Sequence, residues 1–317
     1  ETARKGDLVE ITIEGMSHDG CCIAHVNGKV GFVEGALPGE TVTASYQTKR
    51  SQFAELKTIE VIEPSPERVE PPCSYAPICG GCSMQHLNNE SQLLFKEGVL
   101  LEQLGHVAGL QAEKFTLLPK LQAKVLGYRR KARLAARNVV KKGGVLVGFR
   151  EKNSGFIMDM KSCKVLDDGV SCLINPLRQM LTSLEASSGI PQIEVAVGDP
   201  EPGASEYKNI ALVFRHLHDL SDKDIRLMMD FGLSNGVQIY LQPGGVDSVS
   251  KIFPAGEKSR LHYSLSDYSL TIGFHPMDFT QVNREMNIMI VDSCLLYTSP
   301  SPRDQRGWGM ASCCCKK

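Results

Sequence analysis

Residues 1–62 alternate apolar and polar positions in short runs, and turn-forming residues separate these runs. The apolar runs occupy residues 8–13, 30–33, 41–44 and 56–62. Asn27-Gly28 and Leu37-Pro38-Gly39 lie between them and favour tight turns. Short alternating strands at this spacing are typical of a small β-barrel. The pattern therefore predicts about five strands and a barrel of the OB type over residues 1–62.

The pattern changes after residue 62. The prolines in residues 63–72 predict a stiff linker. A helix is predicted over about 89–104, where leucines recur at helical spacing and Asn88 or Asn89 can serve as the N-cap. Further elements are predicted as strands at 193–197 and 210–214 and helices near 174–185 and 221–232. Residues 73–273 are thus expected to form a central α/β domain in a mixed α+β, multidomain chain.

Three cysteines lie close together in the chain, Cys73, Cys79 and Cys82, with Gly80 and Gly81 between the last two. The glycines allow the backbone to fold tightly around a bulky inorganic group and to turn amide N–H groups towards its sulfurs. Three clustered cysteines with a distant fourth favour an iron–sulfur cluster. A mononuclear zinc site, which usually has two short cysteine pairs, and three unrelated buried thiols remain as alternatives. The sequence opens without a secretory signal and has 11 cysteines, which favours metal ligation over disulfide bonds.

The charge of the chain is informative only in local segments. The net charge is −1, so any surface for nucleic acid must be a patch. The densest basic run is residues 127–137. On a strand, Arg129, Lys131 and Arg133 would share one face at a spacing of about 7 Å, which matches successive phosphates, while Arg130 would take the other face. A solvated strand face is the alternative interpretation.

Aromatic residues accompany the basic ones at two places. Tyr128 precedes the basic run and is suited to stacking on a base. Lys49, Arg50 and Phe53 form a second basic and aromatic group in a predicted loop of the barrel. Barrels of the OB type often bind single-stranded nucleic acid through such loops. Both groups are therefore candidate RNA contacts.

The segment 274–283 has the pattern of a loop that leads from a strand into a helix. Gln281 and Asn283 carry amides that suit a small polar ligand, although a helix start with local caps is the stronger interpretation from chemistry alone. From residue 293 periodicity stops, and LLYTSPSPRDQ resembles translated cloning-adaptor sequence. Residues 293–317 are therefore expected to be a non-native tail. The adjacent cysteines 313–315 cannot all face one metal from regular structure.

The ordered set of these motifs resembles a known family. The barrel, the cysteine loop, GYRRKAR, a later lone cysteine in MDMKSCKVL and HPMDFTQVN are similar to the iron–sulfur uracil-C5 RNA methyltransferases that modify bacterial 23S ribosomal RNA. The resemblance covers about residues 4–292. It implies that the barrel is a TRAM domain, that Cys163 joins the three clustered cysteines as fourth ligand of a [4Fe–4S] cluster, and that Gln281 contacts S-adenosyl-methionine. Cysteines without a counterpart in the family are Cys21, Cys22, Cys172 and Cys294.

The sequence departs from the family after Asp292. A family member continues into a Rossmann-like domain with a Gly-rich cofactor loop, an acidic ribose ligand, a catalytic cysteine in a Ser-Cys-Asn-Pro-type motif and a glutamate base. None of these follows Asp292. Residues 274–292 are thus expected to be only the start of that domain, and no catalytic residue is assigned. The leading hypothesis is a methyltransferase that forms 5-methyluridine in 23S ribosomal RNA, truncated at its C-terminus and inactive as written.

Two other hypotheses are distinguishable from this one. A non-catalytic RNA-binding module with a structural cluster would lack a Rossmann domain in the reading frame downstream of Asp292. A radical enzyme using S-adenosyl-methionine would have C-x3-C-x2-C spacing and three ligands, whereas here the first gap is five residues and a fourth cysteine is available. No apolar run is long enough to span a membrane. We expect a cytoplasmic monomer whose partner is ribosomal RNA.

Overall fold

The computed structural model describes residues 4–50, 52–200, 209–256 and 260–298. Two compact units divide the chain, the first formed by Glu1–Lys120 and Ala135–Lys164 and the second by Leu121–Leu134 and Val165–Lys317. This grouping differs from the predicted domains, because residues 135–164 belong with the N-terminal part of the chain. The predicted tail from residue 299 onwards lies outside the described residues.

The first unit begins with a six-stranded sheet. Its strands are β1 (Leu8–Thr12), β2 (Gly15–Met16), β3 (Cys22–Val26), β4 (Lys29–Glu34), β5 (Thr41–Lys49) and β6 (Phe53–Glu63). They pair in the order β1-β5-β6-β4-β3-β2, with β4 parallel to β6 and the other pairs antiparallel. Asn27 and Gly28 have φ of 51° and 75° between β3 and β4, as a tight type I′ turn requires. Val33, Val42 and Leu56 lie in a buried hydrophobic core formed by this sheet.

A buried ion pair holds the proline-rich linker against the sheet. Glu40 is fully buried, and its carboxylate accepts hydrogen bonds from Arg68 at 2.5 and 2.8 Å. The backbone N–H groups of Leu37 and Ser65 donate to the same carboxylate. Burial by itself would raise the pKa of Glu40, but these hydrogen bonds outweigh burial and the pKa lies below its ordinary value. Residues 65–68 are therefore packed structure rather than a free tether.

The rest of the first unit contains a helix and two hairpins. Helix α1 (Asn89–His106) confirms the predicted helix, and its N-cap Asn88 accepts a hydrogen bond from the N–H of Ser91 at 2.8 Å. Strand β7 (Lys131–Val139) starts in the second unit and ends in the first, where it pairs with β8 (Gly144–Gly148). A shorter hairpin follows at 149–158, which we call the 149–158 hairpin. It was not predicted from the sequence.

The second unit is built on a mixed sheet. Its elements are α2 (Asp168–Ser171), α3 (Ile174–Ser183), β9 (Gln192–Val197), β10 (Ile210–Arg215), α4 (Asp222–Asn235), β11 (Gln238–Gln242), β12 (Ser250–Phe253), β13 (Leu261–Leu265), β14 (Leu270–Phe274) and α5 (Arg284–Thr298). The strands lie in the order β12-β11-β10-β9, followed by the first residues of β7. Helix α4 connects β10 to the parallel strand β11, and β13 pairs with β14 as a separate hairpin.

The sequence patterns of this unit predicted its main elements correctly. The two predicted strands appear as β9 and β10, and the two predicted helices as α3 and α4. Ser221 caps α4 by accepting a hydrogen bond from the N–H of Asp224 at 3.2 Å, and Gly236 ends the helix with φ of 62°. The mixed α+β class is confirmed. Helix α5 runs through the predicted boundary at 292/293.

Candidate four-cysteine site and nucleic-acid interface

The four cysteines predicted as ligands come from two separate stretches of the first unit. Cys73, Cys79 and Cys82 occupy a turn-rich loop, and Cys163 lies near the end of the second stretch. Burial raises the pKa of the Cys79 thiol, and the charges of the other three cysteines raise it further. Cys73, Cys82 and Cys163 are therefore the cysteines whose charges act on the Cys79 thiol.

The cysteine loop pairs with the 149–158 hairpin. The N–H of Gly80 donates to the carbonyl of Arg150 at 2.8 Å, and the N–H of Lys152 donates to the carbonyl of Ile78 at 2.8 Å. A Cβ on Gly80 would lie 3.0 Å from the Arg150 carbonyl oxygen. Glycine at position 80 thus lets the cysteine loop and the hairpin approach closely enough for their backbones to pair. The sequence alone did not predict this reason for a glycine. The turn-favouring run Asn153-Ser154-Gly155 was the available signal for this hairpin.

Thiol side chains and a backbone amide surround Cys79, and both are groups that occur at metal centres in proteins. Within residues 4–50, 52–200, 209–256 and 260–298, no three or more ligating side chains stand in the geometry of a single metal ion. Four thiolates on one zinc would lie about 3.8 Å apart, whereas several irons hold their thiolates around a larger body. The N–H of Gly81 donates to the Cys79 sulfur at 3.4 Å. Thiolates with an amide directed at a sulfur are the chemical groups that proteins place around the second kind of group.

Other cysteines stand apart from this group. Cys22 is the first residue of β3 and Cys21 precedes it, and burial raises their pKa values to about 12 and about 11 respectively. The Cys22 thiol donates to the carbonyl of Ala36. Cys172 and Cys294 are exposed in the second unit. None of these thiols contributes to the raised pKa of Cys79.

The predicted barrel contact forms an aromatic group. The Arg50 guanidinium lies over the Phe53 ring, 5.8 Å from its centroid. Phe32 meets Phe53 edge to face, with centroids 5.7 Å apart, and was missed from the sequence. Phe53 lies directly opposite Val30 in the parallel β4–β6 pair, and Val30 is two residues from Phe32. The contact between the two rings depends on this register, which the sequence alone does not specify. The side chain of Lys49 lies outside the described part of the chain.

The basic strand of the second unit is not a row of free cations. Arg130 donates to Asp199 at 2.5 Å, and the Lys131 ammonium donates to the backbone carbonyl of Asp278. Burial lowers the pKa of Lys131. Arg133 donates to Glu194 at 2.5 Å while its side chain remains 69% exposed. Arg133 is therefore the member of this group that solvent and a phosphate can best reach.

The backbone before β7 holds the segment that contains Gln281. The N–H of Arg130 donates to the carbonyl of Val282 at 2.9 Å, and Arg129 lies opposite Asn283 in an antiparallel bridge. Asn283 accepts from the N–H of Met286 at 3.2 Å and so caps α5, as the local-cap interpretation predicted. Gln281 itself is exposed. Two motifs that are about 150 residues apart in sequence thus share one backbone pairing.

A cavity of about 490 Å³ opens beside this pairing in the second unit. Asp199, which is buried, accepts hydrogen bonds there from Arg130 at 2.5 Å, from Arg284 at 2.8 Å and from the N–H of Ser264 at 3.0 Å. Burial by itself would raise the pKa of Asp199, but the hydrogen bonds outweigh burial and lower it. The residues that define the cavity include Lys124, Tyr128, Arg130, Asp199, Asn283 and Arg284.

Comparison with known proteins assigns the general class. A family model described as the TRAM domain matches residues 3–55. The crystal structure of a Pyrococcus abyssi tRNA (uracil-54, C5)-methyltransferase in complex with S-adenosyl-L-homocysteine has a similar fold, with a TM-score of 0.59 and 20% identity over 90% of this chain and 64% of that one. The chain therefore combines a TRAM domain with the fold of an RNA (uracil-C5)-methyltransferase.

Curated relatives narrow this class. A 23S rRNA (uracil(1939)-C(5))-methyltransferase of Hahella chejuensis is 44% identical over 93% of this chain and 64% of its own length. The protein of the same name from Alkalilimnicola ehrlichii is 45% identical over 90% of this chain and 62% of its length. The chain is thus similar to 23S rRNA (uracil-C5)-methyltransferases over most of its length, and it spans a little under two thirds of the length of these relatives. Among the described helices, none has the length and apolarity needed to cross a membrane.

Proposed function

We propose that this chain is the RNA-recognition part of a methyltransferase that forms 5-methyluridine in 23S ribosomal RNA. The 44% identity over 93% of the chain to a relative named for that activity carries the proposal. The pairing of the basic strand with the Gln281 segment supports it, because an RNA contact and a cofactor contact must lie near one another in such an enzyme.

The residues of the second unit have distinct roles in this proposal. S-adenosyl-methionine supplies the methyl group when it is bound, and the exposed amide of Gln281 contacts it. Arg130 and Arg284 face the cavity and bind RNA phosphate with the donors that Asp199 does not use. Tyr128 lines the same cavity and stacks on a base. A cavity of about 490 Å³ is large enough for one nucleotide.

The four cysteines of the first unit hold a structural [4Fe–4S] cluster in this proposal. Four thiolates complete the ligand set and leave no iron open to substrate. Ligation removes the thiol protons that burial otherwise retains at Cys79. Anaerobic purification should therefore yield a brown protein with broad visible absorption and about four irons per chain. A colourless protein with one zinc would refute the assignment.

The polypeptide as given is proposed to bind RNA without transferring a methyl group. Its 317 residues contain no Ser-Cys-Asn-Pro motif, and no nucleophile or base is assigned within them. The experiment incubates the chain with a 23S ribosomal RNA fragment and radiolabelled S-adenosyl-methionine, with the full-length Hahella chejuensis relative as positive control. We expect RNA retention on a filter and no label in the uracil. Label above background would show that one of the cysteines assigned here to structure is the nucleophile.

A non-catalytic RNA-binding module is the second candidate function. The two candidates differ in cofactor use, because an RNA-binding module does not bind S-adenosyl-methionine and so does not require the Gln281 contact. Gln281→Ala in a full-length relative, at the aligned position, should raise the KM for S-adenosyl-methionine and leave RNA affinity unchanged. No effect on either quantity would favour the module.

A further inference from the structure

Residues 141–164 of the first unit carry a strong local charge. The segment contains six lysines and arginines and two acidic residues, so its net charge is +4, whereas the net charge of the whole chain is −1. Lys142 pairs with Asp159, and Lys152 pairs with Glu34. The other four cations of the segment are exposed, namely Lys141, Arg150, Lys161 and Lys164. A surface of this charge attracts polyanions.

The tip of the 149–158 hairpin carries a large exposed aromatic ring. Phe156 is 68% exposed. Its backbone is fixed, because its N–H donates to the Ser154 hydroxyl at 3.0 Å and its carbonyl accepts from the N–H of Glu151 at 3.0 Å. Asn153 adopts a φ of 51° in the turn. A rigid aromatic side chain in water loses little conformational entropy when a partner covers it.

The hairpin meets the sheet of the first unit beside its aromatic group. Asn153 donates to Glu34 at 2.9 Å, and Lys152 approaches the same carboxylate at 3.3 Å. Glu34 and Phe32 are two residues apart on β4 and therefore point to the same face. Phe32 contacts Phe53, over which the Arg50 guanidinium lies. The hairpin and the Arg50–Phe53 group thus lie on one side of this unit.

From these observations we propose that the 149–158 hairpin is a second RNA contact, in which Phe156 stacks on an unpaired base while Arg150, which lies opposite Ile157 in the same hairpin, binds the backbone. The inference rests on the proposed function, since it takes RNA as the partner. Cations beside an exposed ring are the combination by which proteins bind single strands, because every base has a π-face. A paired duplex would hide that face and use the charges alone.

The test compares the 317-residue chain with variants at one position, using a ten-nucleotide single-stranded RNA and a duplex of the same sequence as probes. Phe156→Ala should weaken single-strand binding about tenfold, since a stacked base contributes at that level. Phe156→Tyr keeps the ring and should bind like the wild type, whereas Phe156→Leu should resemble alanine. Duplex binding should be unchanged by all three. Unaltered thermal unfolding would show that the exposed position is not needed for folding.

A fluorescence experiment provides a second readout. Trp308 is the single tryptophan of the chain, so Trp308→Phe removes the background. In that variant, Phe156→Trp should be quenched by the single strand, while Leu233→Trp, at a position on α4 that is 59% exposed, should not. Wild-type binding with no effect of Phe156→Ala and no quenching would overturn this inference alone. Failure of the wild type to bind either RNA would overturn the proposed function with it.

Discussion

Removal of the charge of Glu40 should loosen the first unit. Glu40 is fully buried and satisfies four donors, two from Arg68 and one each from the N–H groups of Leu37 and Ser65. In Glu40→Gln the side-chain volume is retained, but one oxygen becomes an NH₂ group that faces donors. The Arg68 guanidinium, only 21% exposed, then has no compensating charge. The mutation therefore removes charge-assisted hydrogen bonds and leaves a partly buried cation that keeps only neutral acceptors, such as the Gly35 carbonyl.

The expected loss is about 3 kcal/mol, because breaking a buried pair on one side costs about 3–5 kcal/mol and the retained amide recovers part of it. This corresponds to about two orders of magnitude in the opening equilibrium. Hydrogen exchange measured by mass spectrometry should show it in peptides that cover residues 35–50 and 60–70. Glu14→Gln is the matched control, since Glu14 and His25 form an exposed pair on the same sheet and no change is expected.

A double-mutant cycle and a pH series complete this test. Arg68→Met removes the cation, so Glu40→Gln should cost much less in that background. The pKa of Glu40 is lowered by folding, so its contribution is full above its ordinary value of 4.5 and is lost as pH falls through the folded value. The difference between wild type and Glu40→Gln should therefore shrink in acid. Equal protection of the two proteins at neutral pH would refute the reasoning.

Further predictions concern the candidate sites. Cys163→Ser should lose the iron and visible absorption of an anaerobically purified protein, whereas Cys172→Ser, at an exposed thiol, should keep both; iron retained in Cys163→Ser would exclude that ligand. Arg133→Ala should reduce the slope of log affinity for RNA against log salt by about one unit, because Arg133 is 69% exposed, and Lys131→Ala should change it less. The reverse order would mean that Lys131 leaves its carbonyl partner to bind phosphate. Asp199→Asn should raise hydrogen exchange at the start of α5, because Arg284 loses its charged acceptor, and unchanged exchange there would show that the ion triad does not hold this helix.

The sequence predicted local features well and distant partners poorly. Helix α1 and strand β10 follow from periodicity and capping, which are properties of neighbouring residues. The acceptors of Arg130 and Arg133 lie 69 and 61 residues away, and nothing in a single sequence pairs them. The basic run therefore appeared as free charge, whereas Arg130 and Arg133 each pair with a carboxylate and Lys131 donates to a carbonyl. The turn of the 149–158 hairpin had a local signal in Asn153-Ser154-Gly155, but its pairing with the cysteine loop joins residues about 70 apart and could not be predicted.

The basic strand is better understood as a scaffold than as a simple phosphate-binding row. Its backbone carries the Gln281 segment through the bond from Arg130 to Val282, and the Lys131 ammonium holds the turn at Asp278 that precedes this segment. The Arg130 N–H group and the Lys131 ammonium group both have partners in this segment, whereas on a free cationic face they would be hydrated. An RNA strand that displaced Lys131 would also disturb the turn before Gln281, because the same ammonium serves both contacts. In the proposed enzyme, RNA binding and cofactor contact are therefore expected to be coupled through Lys131, within a few residues of backbone.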